Sequence, residues 1–147
     1  MLTGTRPIKF TGTPEARPSA AAGIDPAANT GSAWAGGGFS QIVSAANVTQ
    51  DMVLTRLSFI TTGSVATESE LQIAFGAAAS EVVKISIPCP GGTTSGVRFR
   101  INLPRPLFVP SGTRISCQII AVSTAGTQQR PSNVKIILIP AANLLPD

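Results

Sequence analysis

From residue 39 onward the apolar residues recur at every second position. Val83, Ile85 and Ile87 alternate with Lys84 and Ser86, and Leu71, Ile73 and Phe75 alternate with Gln72 and Ala74. A period of two places successive side chains on opposite faces of a strand. Val97, Phe99 and Ile101 alternate with Arg98 and Arg100; Ile115, Cys117 and Ile119 with Arg114, Ser116 and Gln118; Val134, Ile136 and Leu138 with Lys135, Ile137 and Ile139. Leu57 and Phe59 stand opposite Arg56 and Ser58, Phe39, Gln41 and Val43 make a weaker first strand, and Leu107-Phe108-Val109 a short one. Gly63, the run from Gly91 to Gly96, Ser111-Gly112 and Gly126 supply turn chemistry between them. The only helical hint, Gly76-Ala77-Ala78-Ala79-Ser80, is at most one turn. About eight strands in about 100 residues predict an all-β fold: an antiparallel two-sheet sandwich, jelly-roll-like, over residues 39–140.

Residues 1–38 are different in kind. They hold seven Gly, four Pro and eight Ala, but only Ile8 and Ile24 of the chain's Ile and Val. Too little apolar surface is present to offset the ordering entropy of a separate core, so an extended arm is expected, with Gly36-Gly37-Gly38 as its hinge. Residues 141–147 read as a C-terminal tail. The N-terminal residues lack the apolar run of a signal peptide, and no stretch reaches the about 18 apolar residues of a membrane span. Folding in a cytosol, with no membrane contact, is the expectation, and Cys89 and Cys117 then read as small buried hydrophobes.

Composition narrows the chemistry. Among 147 residues there is no histidine and no tyrosine, so the usual general base and commonest metal ligand are missing. Glu68 and Glu70 are the only closely spaced carboxylates, and a solvated strand edge accounts for them. No enzyme activity, cofactor or metal site is expected. Charge is uneven: residues 1–81 carry four basic and six acidic side chains, residues 82–147 seven basic and one acidic, Asp147. Arg98 and Arg100 share a strand face and, with Arg105 and Arg114, form a candidate basic patch. Sheets that bind single-stranded nucleic acid add aromatic platforms to such charge, whereas Phe99 alternates to the opposite face, so an acidic protein neighbour is the better expectation. Ile137 and Ile139 on the last strand need cover, and Phe39 lies beside the hinge. Trp34 is either a local plug over the sandwich or an anchor in a neighbouring subunit. Apolar positions on both strand faces suggest an oligomer.

The segment Leu103-Pro104-Arg105-Pro106-Leu107-Phe108-Val109-Pro110-Ser111-Gly112-Thr113-Arg114-Ile115-Ser116 resembles a Pro-Leu-x-Ile-Pro-Ala-Gly-Thr-Arg-Ile segment of small β-sandwich virion proteins of tailed bacteriophages. There the strand often runs on to another arginine; here Cys117 and Gln118 stand. The resemblance covers about 15 residues and implies a structural setting rather than a reaction. It implies a capsid decoration (cement) protein assembled in the host cytoplasm, bound to other virion proteins such as the major capsid protein, and a homo-oligomer such as a trimer. A tail or baseplate component is the alternative. A receptor- or nucleic-acid-binding sandwich is the second, with nucleic acid disfavoured by the missing aromatics.

Overall fold

Eight strands pair as a single long hairpin folded over on itself. In the computed structural model, which describes residues 13–20, 22–27, 34–63, 68–89, 96–121 and 130–141, these are β1 (Glu15–Arg17), β2 (Ser40–Val43), β3 (Met52–Thr62), β4 (Ser69–Phe75), β5 (Val82–Cys89), β6 (Arg98–Val109), β7 (Ile115–Ala121) and β8 (Arg130–Pro140). The pairs β4·β5, β3·β6, β2·β7 and β1·β8 are nested and all antiparallel. Rolling that hairpin up adds the β3·β8 and β4·β7 pairings and yields two four-stranded sheets, ordered β1-β8-β3-β6 and β2-β7-β4-β5. This is the jelly-roll connectivity the strand pattern predicts. Among the described residues there is no α-helix; Ala45–Asn47 forms one 3-10 turn.

The core lies between the sheets. Leu54, Leu57, Ile136 and Leu138 from one pack against Leu71, Ile73, Ile115 and Cys117 from the other, all essentially inaccessible to water. Two bulges decide which residues take part. At Thr55 one extra residue is inserted against β8, so Leu54 and Leu57 both point inward and Arg56 points out. At Lys84 a second bulge turns Val83 outward beside Ala74, while Ile85 and Ile87 stay on the core. The expected single alternation from Val83 to Ile87 is thereby broken. In β2 a register shift buries both Ile42 and Val43 and leaves Phe39 half-buried, so Phe39, Gln41 and Val43 do not share one face.

Two expectations about strand number change together. The strands expected around Val97–Ile101 and at Leu107–Val109 merge into one long strand, β6, which begins at Arg98 and is interrupted where residues 103–106 stand opposite the lone Thr55. Pro104 and Pro106 fall in that interruption, on an edge strand, where missing N–H groups cost no ladder bond. The eighth strand is instead β1, inside the region expected to be an arm. Glu15, Ala16 and Arg17 pair with Leu138, Ile137 and Ile136. Further along, Ile24 exchanges backbone hydrogen bonds with Val134 at 3.0 and 2.8 Å, and the Asn133 backbone N–H donates to Asp25 Oδ1 at 2.7 Å. Gly23 donates to Asn133 Oδ1, and a Cβ at Gly23 would run into the Asn133 backbone. Gly36 bridges Ile120, and Gly37 donates to Ile119 O at 3.1 Å. The glycine run is therefore docked along β7 instead of acting as a free hinge, and residue 38 is not a boundary of the sandwich. Residues 1–12 of the expected arm, the Gly91–Ser95 and Gly126 turns, and the tail beyond Ala141 lie outside the described residues.

Candidate functional site

The outer faces of the two sheets differ in chemistry. On the β2-β7-β4-β5 sheet, Gln118 donates to Gln72 Oε1 at 2.7 Å, Gln72 donates to Glu70 at 2.7 Å, and Ser86 donates to Glu70 as well. These bonds hold the Glu70 carboxyl below its ordinary value, Ser86 contributing most. These four side chains satisfy one another, whereas the buried Ser116 hydroxyl on the same face has no partner among the described residues.

The outer face of the β1-β8-β3-β6 sheet is built differently. Directly opposed residues across β8, β3 and β6 form three rows: Ser132, Ile60 and Arg98; Lys135, Ser58 and Arg100; Ile137, Arg56 and Asn102. Neither β3, β6 nor β8 contains a carboxylate. Lys135 Nζ donates to the backbone carbonyl of Ala20 at 2.9 Å. Arg56, Arg98 and Arg100 are exposed and form no ion pair among the described residues. Together with Ser58 and Ile137 they line a concavity of about 240 Å³.

The expected basic patch is thus assembled differently. Arg98 and Arg100 share one face, and the pairing of β8 with β3 brings Ile137 to it. Arg105 is exposed on the interrupted stretch of β6 and does not line the concavity. Arg114 belongs to the other sheet, where it donates to Glu81 at 2.6 Å and Gln41 at 3.1 Å. The Arg114 guanidinium holds the Glu81 carboxyl below its ordinary value. Arg56 takes the place of these two; its position opposite Leu57 was readable, but its proximity to Arg100 depends on strand pairing. Ile139 lies one row beyond, paired with Val53, whose other neighbour is Phe108.

Exposed large apolar side chains gather elsewhere. Val82, Val83, Val97, Phe99 and Phe108 all belong to β5 or β6 or directly precede β6, and these two strands are sheet edges. Phe99 stacks on Phe59 with ring centroids 5.2 Å apart yet stays partly open. Phe75, Val82, Phe108 and Pro110 line an apolar depression of about 400 Å³ there. The sixth such side chain, Trp34, is 51% exposed. Its backbone sits in the left-handed region at φ 61°, tied to Ala121 O at 2.8 Å, and its ring forms one wall of a cavity of about 390 Å³ with Pro88, Cys89 and Glu68. A bulky residue in that conformation is unusual.

Both thiols are free and buried. Loss of hydration raises Cys89 to about 11 and Cys117 to about 12. Alkylation of the native protein at pH 8 is therefore expected to run about 100-fold or more slower than for an exposed peptide thiol. Timed iodoacetamide labelling read by mass spectrometry checks this; prompt labelling of both cysteines contradicts it. Among the described residues no cluster of three or more His, Cys, Asp or Glu side chains is placed to hold a metal, and no helix is long and apolar enough to cross a membrane. No family model and no curated protein matches the chain.

Proposed function

We propose that this chain is a bacteriophage virion structural protein, a decoration (cement) protein that stabilises the head by contacts with the major capsid protein and with copies of itself. The observation that carries the reading is the apolar β5/β6 side: five exposed large hydrophobics border two unpaired strand edges. Such a surface on an isolated chain is costly in water and is relieved by a neighbouring subunit. The jelly-roll connectivity, which viral coat domains also use, and the resemblance of residues 103–116 to phage sandwich proteins supply the setting. The role is non-covalent: apolar area removed from water across a joint between shell subunits.

The test uses heads of the encoding phage made without this chain. They should assemble but open at a lower temperature than complete heads. Adding the purified protein should restore the loss, and a Val83→Ser/Phe108→Ser variant, changed only at exposed positions, should not. Heads indifferent to the protein, or recovery of the chain only in tail fractions, would exclude cementing.

A further inference from the structure

We propose that the outer face of β8, β3 and β6 is a docking surface for an extended, carboxylate-bearing protein segment, received by Arg56, Arg98 and Arg100. The proposal does not depend on the virion reading. It starts from the three arginines, which share a strip of surface containing no acid and form no ion pair among the described residues. Like charges held side by side repel, and a folded chain gains by receiving counter-charge there. The opposite sheet has no such need, because Gln118, Gln72, Ser86 and Glu70 already satisfy one another.

The geometry indicates what the counter-charge looks like. Arg98 and Arg100 are two residues apart on one strand, about 7 Å along the chain. Alternate side chains of an extended peptide have that same spacing, so acids at positions i and i+2 meet the two guanidiniums in register. Each guanidinium offers the planar fork that a carboxylate takes with two bonds. Arg56, one row away beside Asn102, extends the site across the sheet. Ile137 and Ser58 complete the wall of the concavity, whose about 240 Å³ suits side chains of a peptide.

A nucleic acid is the less favoured guest. The rows that hold the three arginines offer no aromatic residue on which a base would stack: Phe59 and Phe99 stack on each other at the core side of the strands, and Phe108, exposed on this face, pairs with Val53 a row beyond Arg56 and Asn102. Apolar Ile60 and Ile137 also interrupt the cations, whereas phosphate backbones are followed by continuous basic grooves.

The probes are a fluorescein-labelled oligo-glutamate of about ten residues and a labelled DNA strand of equal charge, titrated by anisotropy at low and then rising salt. Oligo-glutamate should bind the full chain at low salt. Arg98→Gln/Arg100→Gln should weaken it about tenfold, and Arg105→Gln, outside the concavity, should leave it unchanged. Circular dichroism checks folding; if the double variant unfolds, Arg56→Gln alone must show a weakening that Arg105→Gln lacks. Failure of oligo-glutamate to bind at low salt overturns the proposal, as does equal binding by the arginine variants. DNA that binds tighter than oligo-glutamate and is lost with the same arginines replaces the peptide by a nucleic acid.

Discussion

Removal of residues 1–38 is expected to destabilise the sandwich by about 3 kcal/mol or more, a large part of the stability of a domain this size. The deletion takes away β1, which covers one edge of β8, and with it the pairings of Glu15, Ala16 and Arg17 to Leu138, Ile137 and Ile136. It also removes Ile24, which packs against the core beside Val134, and the strip from Trp34 to Gly37 that bonds to Ala121 and Ile119 on β7. Both sheets lose a neighbour at once. Urea unfolding followed by circular dichroism reads the effect. A truncated chain with the midpoint of the full-length protein would mean that the N-terminal region only rests on the domain. Because truncation removes many contacts, Gly23→Ala is the finer probe. Its Cβ meets the backbone of Asn133, which cannot swing aside as a side-chain tip would. The substitution should cost about 1–3 kcal/mol by lifting the segment that carries Ile24 while leaving every other residue in place.

How much of this was legible in the sequence depended on the kind of interaction involved. The core strands were readable because burial on one face imposes period two: Leu71 and Ile73, Ile115 and Cys117, and Val134, Ile136 and Leu138 are all inaccessible as their alternation predicts. Strand β1 was not readable. Glu15-Ala16-Arg17 holds its place through backbone pairing at an edge, and backbone pairing leaves no apolar signature. The bulges at Thr55 and Lys84 were equally silent, since neither residue type announces an extra position in a ladder. The basic patch differs from its expected membership because of strand pairing, which alternation does not encode. Arg114 and Arg98 both alternate with apolar neighbours, but alternation does not say which sheet a strand joins, and Arg114 joined the other one. The outward direction of Arg56 follows from its alternation with Leu57, but only the pairing of β3 with β8 and β6 places it next to Ile137 and Asn102.

The adjacent pair Ile136 and Ile137 offers the sharpest test of which face belongs to the core. Ile136 is completely buried between Leu57 and the opposite sheet, so Ile136→Ala should cost about 2–5 kcal/mol through lost transfer energy and the cavity left behind. Ile137, one residue on, lies on the cationic face and is only half-buried, so Ile137→Ala should cost less than about 1 kcal/mol. The difference follows from register alone, because a slip of one residue along β8 would exchange the two side chains. Equal losses for both variants would mean that the outer face is packed as tightly as the core, and the arginine concavity would then have no open floor. A large loss for Ile136 with a small one for Ile137 leaves a folded protein altered only beside Arg56. Since Ile137 is an apolar wall of the site and carries no charge, its removal should weaken a partner segment without changing the salt dependence of binding, whereas removing an arginine should lower both.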